Sequence, residues 1–115
     1  MINPGTYDLL CPQGVTFDKT FTWTIGGTAV NLSGYTAALQ VRSGYDAGTA
    51  LISLSTGGSG LVLGGTAGTI TATISAASTG GLEPGSYAWD LELYEGSNVT
   101  RLLQGAFNVT GGVTR

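Results

Sequence analysis

The chain has 115 residues, a net charge of −3, no histidine and one cysteine, so it is the size of one domain and lacks the usual general base and imidazole metal ligand. Charged residues make up 10% and hydrophobic residues 42%, which excludes a charge-rich disordered segment. Its four Lys and Arg form no cluster, so direct nucleic-acid binding and attraction to an anionic membrane are excluded.

Twenty glycines, with abundant Thr and Ser, favour strands and turns over helices. The thin charged layer fits a surface that faces neighbouring subunits, or equally a soluble domain coated in Thr and Ser. Cys11, having no cysteine partner, is expected to pack as a small apolar residue. The start of the chain has no basic patch followed by an apolar run, and no stretch reaches the roughly 20 apolar residues of a membrane span. Synthesis in the cytoplasm without a cleaved signal is the expectation.

In chain order, Thr6 to Cys11 reads as a first strand ended by Pro12, which cannot donate to a ladder. Val15, Phe17, Phe21, Trp23 and Ile25 alternate with threonines and Asp18, so Val15 to Ile25 reads as one long strand with that apolar set buried. Lys19 interrupts the series and is expected at a bend or snorkelling to the edge. Gly26-Gly27 and Asn31-Leu32-Ser33-Gly34 mark turns. Tyr35, Ala37, Leu39 and Val41 form the buried set of the next strand.

After a loop at Gly44 to Gly48, strands are expected at Ala50 to Ser55, Leu61 to Leu63 and Thr69 to Ser75. Gly64 to Gly68 reads as a hairpin turn, and Ser75 to Gly81 as the one stretch able to form a helical turn. Pro84-Gly85-Ser86 forms a tight corner into a strand carrying Tyr87, Trp89, Leu91 and Leu93. The Tyr87 hydroxyl is expected to bond back to the loop backbone, with Pro84 and Gly85 shaping the corner. Val99 to Leu103 and Ala106 to Thr110 complete about eight or nine short strands in one all-β sandwich or barrel with negligible helix.

Few residues can carry chemistry. Asp90 and Glu92 lie two apart on the polar face of one strand, with Asp8, Asp18 and Asp46 elsewhere. Carboxylate pairs serve glycoside hydrolysis, but a strand face pairing with Arg42 or Arg101 accounts for Asp90 and Glu92 more simply. The glycine run at 64 to 68 has no Lys and no following helix, so it is no phosphate loop. No catalytic residue, cofactor site or metal site is assigned. Trp23 and Trp89 fall in register with buried faces, which leaves Tyr45 and Tyr94 as the candidate exposed contact aromatics.

One resemblance covers nearly the whole chain. Tyr7-Asp8-Leu9, Gln13-Gly14 with Phe17, Asn31-Leu32-Ser33-Gly34-Tyr35, Leu39-Gln40-Val41-Arg42, Gly68-Thr69-Ile70, Pro84-Gly85-Ser86-Tyr87, Asp90-Leu91-Glu92-Leu93, Gly105-Ala106-Phe107-Asn108-Val109 and Val113-Thr114-Arg115 carry it. The series resembles small immunoglobulin-like (Ig-like) structural proteins of tailed bacteriophages, which are similar to the sandwich that opens longer upper-baseplate and tail-fibre proteins.

The resemblance implies a single Ig-like antiparallel β-sandwich over residues 1–115 with short terminal extensions. It also implies a complete accessory subunit of a virion, placed in the tail or baseplate and touching other virion proteins and copies of itself through strand edges, loops and termini. Capsid decoration is the alternative placement. A carbohydrate or host-surface binding module, using Tyr45 and Tyr94 on a glycan, is the alternative role, and an enzyme the third.

Overall fold

The computed structural model describes residues 5–44, 50–58 and 60–111. The elements are β1 (Gly5–Thr6), β2 (Leu9–Pro12), β3 (Phe17–Thr22), β4 (Thr24–Ile25), β5 (Thr28–Ala29), β6 (Thr36–Arg42), β7 (Ile52–Ser55), β8 (Leu61–Leu63), β9 (Thr69–Ile74), α1 (Ala76–Gly80), β10 (Gly85–Glu95) and β11 (Asn98–Thr110). The fold is all-β. A large sheet runs β1-β11-β10-β6-β7, with β2 also on β11; a small sheet runs β3-β9-β8; and β4 pairs with β5 as a separate hairpin.

The two sheets pack face to face because alternate residues of their strands are apolar. From the small sheet come Phe17, Phe21, Ile70, Ala72 and Ile74; from the large sheet come Leu39, Val41, Trp89, Leu91, Leu93 and Phe107. Rings join the layers: Phe21 stacks on Trp89 with centroids 5.6 Å apart, and Phe17 meets Phe107 at 5.5 Å. Such aromatic pairs contribute about 0.5–1.5 kcal/mol beyond the area they bury.

The first strand is two pieces on one track. Thr6 pairs with Gln104 and Leu9 with Phe107, both parallel to β11 and in a single register, so the ladder is interrupted only at Tyr7 and Asp8, where the Tyr7 N–H still donates to the Gln104 carbonyl at 2.9 Å. Side chains replace the missing bonds. The Tyr7 carbonyl accepts from the Trp89 indole nitrogen at 2.8 Å, and an Asp8 carboxylate oxygen accepts from Ala106 N at 3.0 Å. Position 105 must be glycine for this approach, since a Cβ there would run into the Tyr7 carbonyl.

Two expectations are corrected here. Val15 to Ile25 is not one strand: β3 ends at Thr22, and although the Trp23 N–H still bonds Gly68, the next position of the β3–β9 register, the Trp23 carbonyl accepts from Val30 instead. Ile25 therefore moves onto the β4–β5 hairpin, whose Gly26 and Gly27 take the positive φ angles of 59° and 83° that its tight turn needs, and its side chain is 59% exposed. Val15 precedes β3 in a turn and is 51% exposed. Phe17, Phe21 and Trp23 are buried.

Helix α1 forms where a helical turn was expected. The Ser75 hydroxyl caps it by accepting from Ser78 N at 3.2 Å. Its Thr79 is fully buried, giving its hydroxyl proton to the Val15 or Ala76 carbonyl, at 2.8 and 3.1 Å. Cys11 is buried and free, and burial pushes its thiol above the ordinary range.

Candidate functional site: the strand edges and the outer sheet face

The corner before β10 positions Tyr87. Its hydroxyl donates to the Glu83 carbonyl at 2.6 Å, a bond back to the loop that Pro84 and Gly85 turn. Gly85 opens β10 opposite Val109, so the corner sets the register of the longest pairing in the molecule. Tyr94 is half-buried on the outer face of the same strand, and its hydroxyl donates to Glu92 at 2.9 Å. Burial and then that bond raise its phenol above the ordinary range. Tyr94 is thus part of a polar cluster. Tyr45 lies outside the described residues, as do Asp46 and the Val113 to Arg115 end.

The cluster belongs to the outer face of the large sheet. Arg101 meets Asp90 at 3.4 Å and Glu92 at 3.1 Å, the cross-strand pairing that the strand pattern pointed to. A bulge in β11 makes this possible, because the register shifts between Leu91 and Glu92 and brings Arg101 opposite Glu92. Burial first, and then the Glu92 charge, holds the Asp90 carboxyl above its ordinary range against the opposing pull of Arg101 and Arg42. Gln40 and Arg42 border the same 340 Å³ depression.

Two other candidate carboxylates serve the backbone and a neighbouring strand. Asp8 holds Ala106 N, and Asp18 accepts from the Thr73 hydroxyl at 3.4 Å. Among the described residues no group of three or more His, Cys, Asp or Glu could hold a metal ion. No helix of the described chain is long and apolar enough to cross a membrane. No family model matches the chain, and no curated protein matches it.

The strand edges differ in chemistry. On one side of the sandwich lie β3 and the β1–β2 track. Lys19 sits opposite the buried Ala72 in the β3–β9 ladder, so its stem points toward the core, and its ammonium sits 5.0 Å from the centre of the Tyr7 ring. This snorkelling cation joins the two sheets at their open seam, and an inward-pointing charge on an edge strand blocks pairing with another chain.

The other side, formed by β7 and β8, carries no such guard. Leu51 is 48% and Val62 67% exposed there, and a 630 Å³ groove runs between β7 and the end of β9, lined by Leu51, Ile52, Leu54, Gly60, Thr73 and Ser75. This side was missed in reading the strands one at a time. Its signal is an absence of charge: no charged residue occurs from position 47 to position 82, the stretch that supplies β7, β8, β9 and α1.

Proposed function

We propose that this chain is a non-enzymatic structural subunit of a tailed-phage virion, built as an Ig-like sandwich and working by protein–protein contact along its strand edges. The single observation that carries the contact role is the uncharged side with its two unguarded edges, β7 and β8. A free protein normally covers such edges with charge, bulges or added chain.

The Ig-like part of the reading draws on three features. The strand order places β3, β9 and β8 over β6, β10 and β11, as strands B, E and D lie over C, F and G in such domains, with β7 as an added strand beside C. Tyr87 bonds back across the corner between the two sheets. Two residues later stands Trp89, stacked on Phe21 of β3, where antibody domains join the same two strands by a disulfide.

The placement in tail or baseplate comes from the resemblance of the strand and turn residues. Peptides of this chain at a stoichiometric level in purified particles, with its density located in a virion map, are the expected result. Particles that lack the chain would overturn the reading, and density on the head surface would move it to capsid decoration.

A carbohydrate-binding reading is favoured by a place other than Tyr45 and Tyr94. Trp23 and Tyr35 meet edge to face at 6.0 Å beside Ile25, Val99, Glu95 and Asn98, lining a 470 Å³ cleft between the β4–β5 and β10–β11 hairpins. Titration of the protein with neutral oligosaccharides, followed by tryptophan fluorescence, tests it; an unchanged spectrum at millimolar sugar removes it.

A further inference from the structure

The outward groups of β7 follow from its ladder. Thr56 N donates to the Ala37 carbonyl at 3.1 Å, and in the same register Leu39 faces Leu54 and Val41 faces Ile52. Antiparallel ladders alternate, so the peptide groups of Ile52 and Leu54 turn toward β6 while those of Ser53 turn away from the sheet. Ser55 bridges Gly60 where the chain crosses to the small sheet. Ser53 is therefore the open position of this edge. The burial of β7 alternates with Ile52 and Leu54 inward and Ser53 outward.

Charge selects the partner. Each copy carries a net charge of −3, and every charged residue lies outside positions 47–82. Two copies approach with least repulsion through the neutral side that both possess.

We propose that a second copy of this chain pairs with the first along β7, antiparallel and about a two-fold axis through Ser53. Directly opposed residues in an antiparallel pair share a face. Centring on Ser53 sets Ile52 against Leu54 of the second copy on the core side, lets the two Ser53 residues exchange N–H to carbonyl bonds, and continues the large sheet across the axis. A shift by half a pair would oppose apolar to serine side chains, and a centre on Leu54 would use groups already given to β6. Leu51 and the groove beside β7 then lie at the joint.

This inference deepens the assembly reading above, and the full-length chain tests it. Size-exclusion chromatography with light scattering is expected to show the mass rising from one chain to two between micromolar and millimolar protein. Ser53→Lys is expected to weaken association at least about ten-fold by placing like charges on the axis. Ser53→Cys is expected to oxidise to a linked dimer faster than Thr20→Cys on the guarded edge, with the buried Cys11 silent in both. This gives a second readout should the lysine variant not fold.

A wild-type chain that stays at one-chain mass throughout, a lysine variant that associates like wild type, or equal cross-linking of the two cysteine variants would overturn the pairing. Particles that contain the chain without a Ser53→Cys cross-link would remove the pairing and leave the virion reading. A dimer in solution from a chain absent from particles would do the reverse.

Discussion

The two sides of the sandwich solve the same problem in opposite ways. On the β1–β2 and β3 side, Trp89 and Asp8 bond the β1–β2 track to its own sheet, Gly105 permits the close approach, and Lys19 spans the seam from β3 with its cation on the Tyr7 ring. On the β7 and β8 side, neither strand carries a charged residue. An edge closed by polar chemistry is fitted to one arrangement and resists both substitution and company. An edge left neutral tolerates change and invites a neighbour.

The contrast is tested first by adding one methyl group to each side. Gly105→Ala places a Cβ against the Tyr7 carbonyl, which must move away from the Trp89 indole, and is expected to cost about 2–4 kcal/mol. Gly57→Ala on the open side meets nothing within 4 Å and is expected to change stability by less than about 0.5 kcal/mol. Urea unfolding of both variants gives the answer, and equal losses would dissolve the distinction between the sides.

Removing the guard is the next largest effect. Lys19→Thr keeps the β propensity of β3 and deletes the cation above Tyr7, at about 0.5–1 kcal/mol of stability. Its greater consequence is expected in association: light scattering should detect assemblies beyond the wild-type species, because β3 then offers six residues without an inward charge. A variant no more associated than wild type would show that Lys19 does not protect this edge.

Much of this contrast was readable in the residues and some was not. The alternation of Phe17 and Phe21, of Leu39 and Val41, and of Trp89, Leu91 and Leu93 marks the core directly, because a pleated strand buries every second side chain. Tyr87 was readable for a similar reason, since a tight Pro-Gly corner fixes where the ring stands. Ile25 was not, because the alternation runs on through Trp23 while the Trp23 carbonyl leaves the β3–β9 ladder to accept from Val30, and periodicity in side chains does not report a change of hydrogen-bond partner. The Asp8 to Ala106 bond and the Trp89 to Tyr7 bond join residues far apart in sequence, and only the fold brings them together. Tyr94 read as exposed because it ends its strand, whereas the neighbouring carboxylate draws it down onto the sheet.

The corner gives a smaller effect than either edge. Tyr87→Phe keeps the ring against the core and loses only the bond to Glu83, so about 1 kcal/mol of stability is expected to go. An unchanged unfolding midpoint would mean that the ring alone, and not the hydroxyl, holds the turn.

The smallest effect concerns where the charge has gone. Asp90, Glu92 and Arg101 gather on the outer face of the large sheet, and there burial first, and then the Glu92 charge, acts against the charged form of Asp90. Because its folded pKa is raised, the folded state binds a proton more readily than the unfolded chain, so this group lowers stability as pH climbs through the interval between the ordinary and the raised value. Above that interval the penalty is complete; below it, none remains. Asp90→Asn removes the titration while keeping the shape, and at neutral pH it is expected to equal or slightly exceed wild type, by a few tenths of a kcal/mol at most. As pH falls from about 7 to about 3, the difference between the two proteins should move in favour of wild type, since only wild type sheds a penalty. Paired urea titrations across that range isolate the group, because the other carboxylates are common to both chains. A difference independent of pH would mean that Arg101 fully balances the cost, leaving the outer face as electrostatically settled as the neutral side.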